Sequence, residues 1–137
     1  QVSNNVEIYY HDKLLRHHSI GQRASALILF ILMQSDNDII LIDQPEDDLD
    51  NKIIYDEVIT AIAKKKQDIQ FIFATHNANI PVLGDAERIF VVEYQDTTID
   101  ISQGNIDLKS THKQIVDIME GGEEAFDKRQ LIYTSWK

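Results

Sequence analysis

Two uninterrupted apolar runs, "DIILID" at 38–43 and "IQFIFA" at 69–74, constrain this chain more than anything else in it. Neither alternates apolar with polar residues, which is the pattern of a strand covered on both faces. Between them lies "NKIIYDEVITAIAKKK" (51–66), with Ile54, Val58 and Ile62 on one helical stripe. Its three closing lysines suit the negative end of a helix dipole. Strand, helix, strand in this order is one unit of a parallel sheet. A third apolar run, "RIFVVEY" (88–94), continues the pattern. The expected fold class is therefore α/β, with helices on the faces of a parallel sheet.

The flanking segments are read in the same way. "VEIYYHD" (6–12) is β-branched and aromatic enough for a strand. "SIGQRASALILFILMQ" (19–34) has helical length and is apolar almost all round after Arg23, as expected of a helix buried on most faces. Past residue 95, "TTIDISQGNID" (97–107) reads as a short hairpin with Gly104 in or near its turn. "STHKQIVDIME" (110–120) reads as a helix with Ile115, Ile118 and Met119 facing inward. Gly121-Gly122 breaks it before a second helix over 123–133.

At 137 residues and 43% hydrophobic, the chain suits one globular domain. Its 13 basic and 23 acidic side chains give a net charge of -10, which argues against a broad nucleic-acid-binding face. Without cysteine there is no disulfide and no Cys-based zinc site. The longest apolar run, Ala26 to Met33, is too short to cross a bilayer. The chain opens on Gln1 without a secretory pattern, so the expectation is a cytoplasmic fragment of a longer protein.

Three stretches can carry chemistry. In "IDQPEDDLDN" (42–51) an apolar strand runs straight into Asp43, Glu46, Asp47, Asp48 and Asp50. Like charges repel, and a bound cation is a common way to offset the repulsion. Ligands of open α/β sheets sit beyond the carboxyl ends of strands. Asp43 is thus placed to hold Mg²⁺, which takes one or two protein carboxylates and fills its other positions with water and phosphate oxygens. The alternative is a solvated cluster at a helix start, with Asp48, Asp50 or Asn51 as cap. In "HSIGQRA" (18–24), Ser19 and Gly21 open a helix whose unpaired N–H groups could seat a phosphate. The plainer account is that Ser19 is an ordinary N-cap. In "ATHN" (74–77), His76 just past a strand could donate to a phosphate oxygen or orient a water, or could simply be a hydrogen-bonded structural residue.

The order of these stretches resembles the ABC-type ATPases, within them the SMC, RecF and RecN branch. There an L-S-G-G-Q signature opens a helix, followed by a Walker B strand, a D-loop and a strand ending in a switch histidine. Here the corresponding residues are Ser19, Gly21 and Gln22, then "IILIDQP" with Asp43 and Pro45, then Leu49 and Asp50, then His76. The resemblance covers about residues 6–94. It implies that Asp43 anchors magnesium and that Ser19, Gly21 and Gln22 close over ATP held by a second head. His18 and Ile20 replace two signature residues. Gln44 stands where the family has its catalytic glutamate; glutamine can orient a water but cannot take its proton. Glu46 is the candidate substitute base. "DQPEDDLDN" with "ATHNANIPVLGDAE" also looks like a bacterial subgroup of large coiled-coil ATPases, some linked to PHP-type phosphoesterase domains and to phage defence.

No G-x-x-x-x-G-K-[ST] is present, so the phosphate-cradling loop and its lysine are missing here, and the resemblance implies that they belong to a separate N-terminal lobe. The resemblance then makes this chain the C-terminal lobe of a P-loop NTPase head: a family core over 6–94, then a hairpin and end helices over 95–137. Its implied partners are that N-terminal lobe, a second head and, through further segments, DNA. Two rivals remain. One is a metal-dependent nuclease or topoisomerase-primase-like domain, using "DLD" (48–50) and needing a glutamate at an earlier strand end, where only Glu7 is available. The other is a non-enzymatic dimerisation module derived from an ATPase.

Overall fold

The computed structural model describes residues 6–34, 36–49 and 51–137. The chain divides into two units, 1–74 and 75–137, each considered by itself. The division falls inside the stretch expected as a family core.

In the first unit, the expected strand over 6–12 is cut short. His11 and Asp12 both take positive φ (46° and 59°). They form a two-residue turn joining β1 (Tyr9–Tyr10) to β2 (Lys13–Leu14), which pair antiparallel. Positive φ at both central residues is what a tight hairpin turn requires, and His and Asp tolerate it better than most side chains. Helix α1 (Ile20–Met33) follows, with Ser19 as its N-cap. Only Ser25 and Leu32 of α1 are buried, whereas Leu27, Phe30, Ile31 and Met33 lie exposed. The expectation of burial on most faces is thus not met, because in the described residues nothing covers that side of α1.

Strand β3 (Ile39–Asp43) pairs in parallel with β4 (Gln70–Ala74), in register from Ile39↔Gln70 to Asp43↔Ala74. The expected βαβ unit is present. The helical link consists of α2 (Asn51–Ile53), a π-helical segment (Ile54–Ile59) and α3 (Thr60–Lys65). Ile54, Val58 and Ile62 are buried, as their spacing predicts, and the wider π turn lets Ile59 join them. α1 packs on the π segment and on α3. The two faces of the strand pair differ. Ile40 is buried and Ile42, Phe71 and Phe73 are half-buried, while Ile39, Leu41 and Ile72 on the opposite face are exposed. Among the described residues, the runs read as covered on both sides are covered on one.

In the second unit, α4 (Asn79–Leu83) precedes β5 (Ile89–Gln95), which pairs antiparallel with β6 (Thr98–Gly104). Residues 88–94, expected as a third parallel strand, are therefore the first arm of a hairpin. An unbroken apolar run does not distinguish the two pairings. The turn lies at Asp96, with φ of 51°, and Gly104 ends β6 rather than sitting in the turn. Helix α5 (Lys109–Met119) buries Thr111 and Ile115, but Ile118 is exposed. Gly121 and Gly122, at φ 79° and 89°, stop it as expected, and α6 (Glu123–Ser135) begins. Among the described residues no helix is long and apolar enough to cross a membrane.

Because Ile54 is fully buried and Ile39 is 58% exposed, truncating them should have unequal effects. Ile54→Ala should cost about 2–5 kcal/mol, and Ile39→Ala within about 0.5 kcal/mol. Urea unfolding of the two variants checks this, and equal losses would mean that the buried face is misassigned.

Candidate functional site

Asp43 ends β3 with its side chain exposed. The ladder runs one step further, since the Gln44 N–H donates to the Ala74 carbonyl at 2.8 Å. There the chain bends abruptly. Gln44 adopts a left-handed conformation (φ 45°, ψ 58°), which costs a non-glycine residue on the order of 1–2 kcal/mol. A 3-10 turn, Pro45–Asp47, follows, with proline at its start where the missing N–H does no harm. The Asp47 N–H closes it on the Gln44 carbonyl at 3.3 Å. Pro45 and Leu49 are both buried. They pin the loop at two points, so Asp47 and Asp48 are held out in solvent between them. Glu46 is half-buried, with one carboxylate oxygen shielded from water. Asp50 lies outside the described residues, so its D-loop role has no geometry to set beside it.

Ser19 and Gln22 form a capping box. The Ser19 hydroxyl accepts from the Gln22 N–H, and the Gln22 side-chain oxygen accepts from the Ser19 N–H, both at 3.2 Å. The plainer account of Ser19 is thus present in the structure, though the hydroxyl keeps its own hydrogen to donate. His18 adds to the same corner: its Nδ1 lies 3.1 Å from the Gln22 oxygen and its Nε2 is 2.8 Å from the Tyr10 carbonyl.

Gly21 has a reason that spacing alone did not supply. A Cβ there would lie 2.8 Å from the Asp48 carbonyl oxygen. The glycine lets the first turn of α1 close against the acidic loop of its own chain. The structure therefore brings Ser19, Gly21 and Gln22 beside the loop that starts at Asp43. His76 is exposed in the second unit, in a turn where the Asn77 N–H donates to Thr75 Oγ1 and the Asn79 N–H to Asn77 Oδ1, both at 3.0 Å.

Among the described residues no three His, Asp or Glu side chains gather into a metal-binding group. A lone exposed carboxylate at a strand end fits a hard cation only where other oxygens complete its shell, which is how Mg²⁺ meets nucleotide phosphates.

Residues 10–82 match the family described as "AAA domain, putative AbiEii toxin, Type IV TA system". The chain belongs to this AAA-domain family. The match spans α1, the acidic loop, β4 and His76, all the stretches singled out for chemistry. A solved structure described as "Structural biochemistry of ATP-driven dimerization and DNA stimulated activation of SMC ATPases" is similar in fold, with a TM-score of 0.57 at 22% identity. The similarity covers 73% of this chain and 62% of that one, so the AAA-domain chain spans less than two thirds of the SMC ATPase structure. No curated protein sequence matches significantly.

Glycine-to-alanine changes inside helices ordinarily stabilise by about 0.5–1 kcal/mol. Gly21→Ala should do the opposite, because the new methyl group meets a backbone carbonyl. Its urea midpoint should fall below wild type, while Ser19→Ala should lose about 0.5–2 kcal/mol through the cap alone. A stabilised Gly21→Ala would remove the contact with Asp48.

Proposed function

We propose that this chain is the C-terminal lobe of an ABC-type ATPase head of the SMC, RecF and RecN branch. In this reading it serves a DNA-associated process, such as repair, chromosome maintenance or phage defence, through ATP-dependent pairing of two heads. The observation that carries the reading is the position of Asp43. It stands at the carboxyl end of a parallel strand, at the entrance to an acidic loop against which the Ser19–Gln22 turn is packed. The toxin–antitoxin wording of the family is in keeping with a defence role.

Each residue then has a task. Asp43 holds Mg²⁺, which supplies charge neutralisation at the ATP phosphates. Ser19 donates its hydroxyl, and Gly21 and Gln22 shape the turn that faces the nucleotide of the second head. Gln44 orients the attacking water, Glu46 accepts its proton, and His76 donates to the γ-phosphate side. Leu49 and Asp50 form the D-loop at the seam between heads. The lysine and glycine-rich loop come from the N-terminal lobe, so the chain alone binds ATP weakly.

General-base assistance is worth about 10²–10⁴-fold in rate. With glutamine at position 44, the intact protein should turn over slowly, as suits a switch better than a motor. Asp43→Ala should abolish hydrolysis and Asp47→Ala should be mild, while Gln44→Glu should raise single-turnover hydrolysis and Glu46→Gln should lower it. Equal losses from the two aspartates would misplace the metal. Indifference to both Gln44→Glu and Glu46→Gln would move the chemistry away from this strand end. A metal-dependent nuclease would instead cut DNA without ATP and lose that activity on Asp48→Ala.

A further inference from the structure

Glu57 takes no part in the chemistry proposed for the acidic loop, yet it joins several polar side chains of the first unit. It lies in the π segment, with its side chain 25% exposed. The Tyr10 hydroxyl donates to Glu57 Oε2. The Ser25 hydroxyl donates to the same oxygen at 2.5 Å, and the two hydroxyls lie 3.4 Å apart. Ser25 is 0% exposed, midway along α1, so its hydroxyl relies on this carboxylate rather than on bulk water. Burial first, and the neighbouring Glu57 carboxylate second, push the Tyr10 hydroxyl up from its ordinary value and keep it a donor. His11 approaches the other oxygen at 3.9 Å.

Two contacts extend this hub to the candidate site. Tyr10 also holds His18, through its carbonyl at 2.8 Å and an edge-on ring contact at 5.4 Å between centroids. His18 immediately precedes the Ser19 cap. At the other side of the same turn, Gly21 sits against the Asp48 carbonyl. The start of α1 is thus gripped from the Glu57 side through Tyr10 and Ser25, and from the loop side through Asp48. Glu57 itself lies on the helical stretch that the acidic loop feeds.

We infer that Glu57 is a positioning residue: with Tyr10 and Ser25 it locks the Ser19–Gln22 turn to the loop 44–49, so that the two move as one body. The coupling is mechanical and stands on these contacts; its effect on turnover rests on the ATPase reading. Glu57→Ala removes the carboxylate that the Ser25 and Tyr10 hydroxyls share and leaves them only their 3.4 Å contact with each other, whereas Glu57→Gln keeps an acceptor oxygen for them.

The test is amide hydrogen exchange on the intact protein without nucleotide, followed by steady-state hydrolysis. Glu57→Ala should speed exchange at 19–23 and at 44–49 together, by about ten-fold or more, with 70–74 unchanged. Glu57→Gln should restore much of the protection. In the second arm, Glu57→Ala should lower kcat with little change in KM for ATP, and Glu57→Gln should fall between. Val58→Ala, a core truncation on the same segment, should instead raise exchange broadly, including at 70–74. The inference is overturned if Glu57→Ala loosens only one of the two segments, neither of them, or the whole unit in the manner of Val58→Ala. If both segments loosen together but the wild type does not hydrolyse ATP, the coupling stands and the ATPase reading fails.

Discussion

The parallel ladder between β3 and β4 sets everything downstream of it. Its last bond, from the Gln44 N–H to the Ala74 carbonyl, fixes where the strand stops and the acidic loop starts. A slip of one residue would put Asp43 on the face of Ile40, where a charge would lose its water. The register therefore decides that the first acid of the cluster faces solvent at a strand end rather than the core.

The crowding of negative charge that follows is managed by packing. Pro45 and Leu49 tie the loop down at either end, and Asp47 and Asp48 between them point outward while Glu46 is half-buried. Charges in solvent repel one another weakly at this spacing, because water screens them. The Asp48 carbonyl is directed at α1 across the gap that Gly21 leaves open. Shape, rather than attraction between charges, brings the two candidate segments together.

Much of this could be read directly in the residues. The βαβ unit, the Ile54–Val58–Ile62 stripe, the helix after Ser19 and the break at Gly121-Gly122 all follow from local pattern and stand in the structure. Pattern failed where the deciding contact is distant in sequence. "RIFVVEY" has the same composition whether its neighbour is parallel or antiparallel, so the hairpin with β6 was not visible. The exposed sides of α1 and of Ile39, Leu41 and Ile72 depend on what lies across from them, which no local rule supplies. Gly21 was legible only as a residue at a helix start; that it also leaves space for the Asp48 carbonyl depends on a contact distant in sequence. The Tyr10–Ser25–Glu57 hub was missed, although a lone serine in the apolar part of α1 was a usable sign that a polar partner would be needed.

The left-handed backbone at Gln44 has a consequence for anyone who tries to improve this protein. Glycine would relax that residue at once, and thermal selection would favour it. The same replacement deletes the amide that stands next to Asp43. A library screened for heat resistance alone would thus drift toward glycine at position 44, and the side chain beside Asp43 would vanish without any mark in the screen.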